Sequence, residues 1–180
     1  VDSTKLREEL IQSLNIDEQN IIQSASVDAR ICDTILKTVA AKENRIYLGT
    51  INATERLTGW YPKGTLVGDF CPLGGLLKEQ IKRLAIHMGL EHLVETVSEN
   101  SKQICSGCGE LPEFEGIPYK VMDETLYAYE TSPNSKIHLD LEKLNIYRGT
   151  YDIIIDRIKK VRHKSDVFPD YCKINIPNGE

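Results

Sequence analysis

The stretch from Arg45 to Lys78, RIYLGTINATERLTGWYPKGTLVGDFCPLGGLLK, concentrates the unusual residues of this chain. Its short apolar run at 46–48 predicts a buried strand that ends in Gly49-Thr50. The long loop after that strand carries three charged side chains, Glu55, Lys63 and Asp69. Open α/β sheets place their ligand sites in loops that leave the carboxyl ends of strands. We therefore expect a ligand site in this stretch.

Length and composition indicate an ordinary globular domain. The 180 residues suffice for one domain, 1–180, with a real core, and 41% hydrophobic and 27% charged residues are typical values. No window is apolar for long enough to cross a bilayer, and the polar, acidic amino end is unlike a signal peptide. The net charge of −5, without a long basic run, argues against nucleic-acid binding. We expect neither a membrane nor a nucleic acid as partner.

The five cysteines are an odd number, and Cys105 and Cys108 have a CxxC spacing. This pattern fits a reducing compartment better than a secreted disulfide framework, so we expect a cytoplasmic protein. A single CxxC can be half of a zinc site or a redox pair, and Cys32, Cys71, Cys172 or a second subunit could complete a zinc site. We expect two free thiols, and stoichiometric zinc in a metal analysis would overturn that.

Helical periodicity accounts for most of the remaining chain. It predicts helices over 5–14, 26–42, 76–88, 120–130 and 151–163. The helix over 76–88 would turn five apolar residues inward, Leu77, Ile81, Leu84, Ala85 and Met88. One strand cannot make a sheet, so either strands hide in weak segments such as 21–22 or the rest of the sheet lies outside these residues. The order of elements predicts part of an α/β domain.

Two basic residues lie on the first turns of predicted helices. A lone arginine such as Arg30 is by itself best read as a solvated surface charge. Lys78 lies where the helix dipole disfavours a cation by about 0.3–1 kcal/mol. Lys78 is therefore slightly misplaced for stability and well placed to meet an anion.

Several short motifs, taken together, resemble one known family. In chain order they are Asp28-Ala29-Arg30, Leu48-Gly49-Thr50, Glu55, Lys63, Asp69, Pro72-Leu73, Lys78, Gly116-Ile117-Pro118-Tyr119, Asp123 and His163-Lys164. The set resembles the second half of ammonia-dependent NAD synthetases, which are ATP-pyrophosphatase-type ligases of the adenine nucleotide alpha-hydrolase fold. The resemblance implies an α/β fold, a parallel sheet flanked by helices, that is incomplete on its amino-terminal side.

The resemblance also implies a reaction. The family joins ammonia to the nicotinic-acid carboxylate of deamido-NAD, which ATP first adenylates with loss of pyrophosphate, and ammonia then displaces AMP. Such a site holds ATP, Mg²⁺ and deamido-NAD, which demands carboxylate oxygens for the hard cation and cationic side chains for the phosphates. A homodimer is implied as well, because the family's substrate site draws on both subunits.

Residue by residue, the resemblance implies the following roles. Glu55 would be a Mg²⁺ ligand, and no residue is assigned to the chemistry itself. The implied ATP contacts are Thr50, Lys78 and Ser106. The implied deamido-NAD contacts are Arg30, Lys63, Asp69, His163 and Lys164. For Arg30 this replaces the surface-charge interpretation. For the others, plainer interpretations stay open: a turn residue, a solvated loop tip, and basic residues favoured at a helix end.

Two departures from the family pattern limit these expectations. The Ser-Gly-Gly-x-Asp-Ser phosphate loop, with its second Mg²⁺ carboxylate, does not occur in the sequence, and its place would be upstream of Val1. Without its backbone N–H groups the pyrophosphate has no cradle, so we expect no synthetase activity from this chain alone. At 103–115, QICSGCGELPEFE replaces the family's Pro-Ser/Thr-Ala-Asp-Leu and Gln-x-Asp-Glu segments.

Two alternative functions therefore stay open. One is another ATP-pyrophosphatase that amidates or thiolates a different carboxylate or base, and the other is a non-catalytic relic or dimerisation partner of the same fold. The upstream coding sequence would separate them, because SGGxDS after a strand favours the enzyme and a start codon directly before Val1 favours the relic. No glutaminase domain occurs in these residues, which favours ammonia over glutamine as nitrogen source.

Overall fold

A computed structural model of the chain describes residues 2–94, 117–131, 142 and 146–165. Its helices in chain order are α1 (Thr4–Leu14), α2 (Ile21–Glu43), α3 (Ala53–Thr58), α4 (Lys78–His87), α5 (Tyr119–Thr131) and α6 (Arg148–Ser165). The bounds of α1, α4, α5 and α6 lie close to those that the periodicity predicts. In the described ranges no helix combines the length and the apolar character that a membrane span requires.

Helix α2 begins earlier than predicted because of its cap. The side chain of Asn20 accepts a hydrogen bond from the Gln23 amide at 3.2 Å, which satisfies one of the free N–H groups of the first turn. The helix ends at Asn44, whose φ of 51° is left-handed, as is common at helix ends. Residues 21–22 are therefore helical, and the suggestion that they hide a strand is wrong.

The predicted buried strand at 46–48 is also wrong in this form. Only Tyr47 is buried, whereas Ile46 is 72% exposed and Leu48 is 55% exposed. Leu48 forms isolated bridges, antiparallel to Gly68 and parallel to Phe70. The described residues hold β-structure only as isolated bridge positions, at Leu48, Gly68, Phe70 and Cys71, and are otherwise mostly helical.

The main core lies where α3, α5 and α6 meet. Leu126 on α5 and Ile154 on α6 are fully buried, and Leu57 on α3 packs in the same cluster. Gly59, which ends α3 with a φ of 66°, permits the close approach of α6, since a Cβ on it would lie 2.6 Å from the Val161 Cβ. This packing fixes α3, and the loops at its two ends, against α5 and α6.

Helix α4 departs from its predicted packing. None of its residues is buried, and of the five residues expected to point inward only Leu77, just before the helix, is buried. Leu84 is 38% exposed and Met88 is 63% exposed. The helix contacts the described core at its first turn, so its periodicity indicates a helix without indicating what covers its apolar face.

Candidate functional site

The first turn of α4 is held by side chains from two other helices. The Lys78 amide donates to the Thr54 hydroxyl on α3 at 2.9 Å, and the Glu79 amide donates to the Asp123 carboxylate on α5 at 2.7 Å. The Leu77 amide donates to the side-chain oxygen of Gln80 at 2.8 Å. Protein oxygens thus already occupy these N–H groups. The half-buried side chain of Lys78, rather than these three amides, is therefore the group available to an anion.

Thr54 and Asp123 are the centre of the contacts that hold the first turn of α4, which we call the α4 anchor. The Thr54 hydroxyl donates to the Asp123 Oδ1 at 2.6 Å, and the two residues are 1% and 3% exposed. Burial raises the pKa of Asp123 to about 6, against the opposing effect of the Thr54 and Glu79 hydrogen bonds. Asp123 therefore ties α3, α4 and α5 together at one point. The sequence marks Asp123 as a matching residue, but its partner lies 69 positions away, where spacing alone cannot find it.

Glu55 lies on the first turn of α3, in a helix that the periodicity did not predict. Its amide donates to the Asn52 side chain at 2.9 Å, and its Oε2 accepts from the Asn52 amide at 2.9 Å, which is a capping box. The pattern Asn-x-x-Glu at 52–55 is the sequence signal that announces this helix. Sequence reasoning that looked only for apolar periodicity passed over it.

Glu55 and Lys78 are brought together by this arrangement. Burial raises the pKa of Glu55, while the Asn52 hydrogen bonds and the charge of Lys78 lower it in part. One carboxylate oxygen of Glu55, Oε2, accepts from the Asn52 amide in the cap. A carboxylate and an ammonium group in the same neighbourhood can bind a phosphate together with its metal ion.

The surroundings of Glu55 supply part of a Mg²⁺ site. Within the described ranges, no three His, Cys, Asp or Glu side chains lie together as a metal site would require. Mg²⁺ at nucleotide sites is often held by one or two carboxylates, with phosphates and waters as its remaining ligands. Glu55 fits the role of one such ligand and cannot hold the ion by itself.

Thr50, Lys63 and Asp69 belong to two chain segments that cross. The Thr50 amide donates to the Leu66 carbonyl at 3.3 Å, and a Cβ on Gly68 would lie 2.2 Å from the Gly49 nitrogen. The side chains of Thr50 and Lys63 are exposed. The Asp69 carboxylate accepts from the Tyr47 amide at 2.9 Å, so Asp69 helps to fix the crossing.

The remaining predicted contacts lie on α2 and α6. Arg30 is exposed on α2 and His163 is exposed on the last turn of α6. The Lys164 ammonium donates to the carbonyls of Gly59 at 2.8 Å and Tyr61 at 2.9 Å, and burial lowers the pKa of Lys164. Lys164 thereby ties α6 to the end of α3.

The prediction for Ser106 and the CxxC lies outside the described residues, which exclude 95–116. Among the cysteines considered for a zinc site, Cys32 is exposed and Cys71 is fully buried. The Cys71 thiol donates to the Ile51 carbonyl at 3.0 Å. This contact gives Cys71 a place in the core beneath the crossing segments.

Comparisons with known proteins agree with the resemblance in the sequence. The family model described as NAD synthase matches residues 4–167. An NH(3)-dependent NAD(+) synthetase of Pyrobaculum aerophilum is 30% identical over 94% of this chain and 62% of its own length. One of Mycoplasma genitalium is 33% identical over 74% of this chain and 54% of its own length. The chain thus spans little more than half the length of these relatives.

A solved structure, described as NMN synthetase from Francisella tularensis, resembles the chain in fold. The TM-score is 0.66, with 21% sequence identity, over 99% of this chain and 66% of that one. At this identity the likeness bears on the fold alone. The fold of this chain therefore corresponds to about two thirds of the fold of that protein.

Proposed function

Since the chain belongs to the NAD synthase family, we propose that it forms part of an enzyme that amidates deamido-NAD with ammonia at the expense of ATP. ATP adenylates the nicotinic-acid carboxylate and releases pyrophosphate, and ammonia then attacks the acyl carbon and displaces AMP. The observation that carries the proposal is the proximity of Glu55 and Lys78, since the Lys78 amide donates to Thr54, the residue before Glu55, and the Lys78 charge lowers the pKa of Glu55. In this proposal the parallel bridge from Leu48 to Phe70 belongs to a parallel sheet flanked by helices.

Lys78 and Glu55 take the ATP side of the site in this proposal. The Lys78 ammonium binds a phosphate oxygen, and its charge offsets the negative charge that grows on the departing pyrophosphate. Glu55 contributes Oε1 as a single ligand to Mg²⁺, which neutralises phosphate charge when it is bound. Thr50 and Ser106 make further contacts with ATP.

A second set of residues binds deamido-NAD in this proposal. Lys63 and Arg30 are exposed cations suited to the two phosphates of the dinucleotide. Asp69 acts at the crossing of the two segments, while His163 and Lys164 act at the end of α6. We further propose that part of this set reaches the substrate of a partner subunit in a cytoplasmic homodimer.

We propose that these 180 residues by themselves do not make NAD. The sequence contains no Ser-Gly-Gly-x-Asp-Ser motif to surround the pyrophosphate with backbone N–H groups. Incubation with deamido-NAD, ATP, Mg²⁺ and ammonia is expected to yield no NAD by chromatography, although the substrates bind. Formation of NAD in catalytic amounts would contradict this part of the proposal.

The role of Glu55 is tested by Glu55→Gln, measured as the affinity for ATP with and without Mg²⁺. Glutamine keeps an oxygen for the Asn52 amide, so the free energy of unfolding should stay within about 0.5 kcal/mol of wild type. The increase in ATP affinity that Mg²⁺ produces should disappear, because an amide oxygen is a weak ligand for this hard cation.

Asn52→Ala is the matched control, since it breaks the same capping box from its other side. It should lower the free energy of unfolding by about 1 kcal/mol and keep the Mg²⁺ effect on ATP affinity. If Glu55→Gln retains the full Mg²⁺ effect, Glu55 is only a helix cap and the metal assignment is wrong.

A further inference from the structure

Leu66 has an uncommon backbone conformation for its residue type. Its φ is 59°, in the left-handed region that glycine and asparagine tolerate and leucine disfavours. It lies between Lys63 and Asp69, in the middle of the segment that the proposed function assigns to deamido-NAD. A strained residue persists only where its surroundings fix it, and such residues concentrate at ligand sites.

A buried carboxylate on α2, that of Asp33, holds the backbone of Leu66. Asp33 is 5% exposed, and its Oδ1 accepts from the Leu66 amide at 2.8 Å. Its Oδ2 pairs with the Lys37 ammonium at 2.7 Å, and that ammonium also lies 3.5 Å from the Gly64 carbonyl. One carboxylate and its lysine therefore hold two backbone groups, on either side of Thr65.

Tyr47 extends this hold to the far end of the segment. Its backbone amide donates to the Asp69 carboxylate at 2.9 Å, and its carbonyl accepts from the Asp69 amide at 2.8 Å. Its phenol lies beside Asp33, and burial together with that carboxylate raises the pKa of Tyr47 to about 12. Asp33 is thus linked to both ends of the segment.

Packing alone does not explain a carboxylate here. An apolar side chain would fill the inner face of α2 without the desolvation that a buried charge suffers. What the carboxylate adds is a directed acceptor for the amide of one strained residue.

We propose that Asp33 is a positioning residue. It holds the backbone of Leu66 in its left-handed conformation, and the 63–69 segment thereby presents Lys63 and Asp69 to the dinucleotide. The nature of the ligand rests on the proposed function, while the hold of Asp33 on the segment does not. A pair on α6 serves as the control for Asp33 and Lys37. Asp156 and Lys160 form an i,i+4 pair of the same 2.7 Å length, but they are exposed to solvent and lie on α6.

The test compares Asp33→Ala with Asp156→Ala in the full chain. Hydrogen exchange at the Leu66 amide and tryptic cleavage after Lys63 report the segment without any ligand, and calorimetry gives the dissociation constant for deamido-NAD. For Asp33→Ala we expect exchange and cleavage to rise about tenfold and the dissociation constant to rise about tenfold. Asp156→Ala should match wild type in all three.

Leu66→Gly in the Asp33→Ala background separates positioning from general damage. Glycine adopts the left-handed conformation without strain, so the double variant should recover affinity to within about threefold of wild type. Should Asp33→Ala fail to fold, Lys37→Ala, at a half-exposed position, removes the Gly64 contact and should raise cleavage after Lys63 and the dissociation constant about threefold.

Exchange in Asp33→Ala equal to that in Asp156→Ala would overturn the proposal, as would faster exchange with unchanged affinity for deamido-NAD. Absence of rescue by glycine would count against it in the same way. If wild type does not bind deamido-NAD at all, the proposed function fails, and the hold of Asp33 on the segment is still decided by the exchange and cleavage rates.

Discussion

Asp123→Ala is expected to lower the free energy of unfolding by about 3 kcal/mol at pH 5. The change removes the acceptor of the Glu79 amide and the partner of the Thr54 hydroxyl, and it leaves both groups unpaired in a buried place. Urea unfolding followed by circular dichroism measures the loss. Asp152→Ala, at an exposed carboxylate on α6, should change the free energy by less than about 0.5 kcal/mol.

Thr54→Val tests the same anchor from the side of α3. Valine has the shape of threonine without the hydroxyl, so it should cost about 2 kcal/mol. Because the two residues share one hydrogen bond, the double variant should lose less than the sum of the single losses. Additive losses, or a loss below about 1 kcal/mol for Asp123→Ala, would mean that α4 is not anchored in this way.

The same carboxylate gives the anchor a pH dependence. Burial raises the pKa of Asp123 to about 6, above the value near 3.9 expected in the unfolded chain, while Glu79 raises it further and Lys82 opposes the shift. A raised pKa contributes stability that is fully present below pH 4 and is lost as the pH rises through 6. Relative to Asp123→Asn, wild type should therefore lose about 2 kcal/mol between pH 4 and pH 7. A constant difference would exclude the raised pKa.

Lys78→Met is expected to weaken ATP binding about 50-fold and to leave the free energy of unfolding within about 0.5 kcal/mol of wild type. The ammonium would form a charge-assisted hydrogen bond with a phosphate, a contact of about 1.5–3 kcal/mol. The amides of Lys78 and Glu79 cannot replace it, because Thr54 and Asp123 already accept from them. Removing a cation from the positive end of a helix dipole is favourable by about 0.3–1 kcal/mol. The same change removes the favourable interaction of Lys78 with Glu55, so the two effects on stability oppose each other.

A large loss of ATP affinity without a loss of stability cannot come from damage to the fold. Arg83→Met is the matched control, since it removes an exposed cation from the same helix and should leave ATP affinity unchanged. If Lys78→Met binds ATP as tightly as wild type, Lys78 has no part in the phosphate site.

Local sequence signals gave the helices and missed what connects them. Caps and apolar periodicity place α1, α5 and α6 to within a few residues, because these signals act within one or two turns. The capping box at 52–55 is equally local and would have revealed α3. The contact of Thr54 with Asp123, by contrast, joins residues 69 positions apart and leaves no trace in spacing.

Burial is the property that the sequence predicted least well. Apolar spacing along α4 suggested a covered face, yet Leu84 and Met88, which were expected to point inward, are exposed. Periodicity shows which face of a helix is apolar, but not whether a partner covers it. The left-handed Leu66 is a further miss, because leucine at that position carries no turn signal and the carboxylate that holds it lies on α2.

The candidate site was predictable in its composition more than in its geometry. Glu55 and Lys78 were chosen by resemblance, and the fold brings them together. Lys164 and Asp69 were chosen in the same way and are found holding backbone groups of their neighbours. Their proposed roles in binding the dinucleotide stay predictions.

Calorimetric titration of deamido-NAD into the 180-residue chain tests the central claim most directly. We predict a saturable isotherm with one dinucleotide per chain, which Lys63→Ala weakens about tenfold because a phosphate loses its cationic partner. Lys42→Ala, at an exposed lysine in the last turn of α2, should leave the isotherm unchanged. No binding up to about 1 mM, or equal affinities in Lys63→Ala and Lys42→Ala, would contradict the assignment of this chain to the recognition of deamido-NAD.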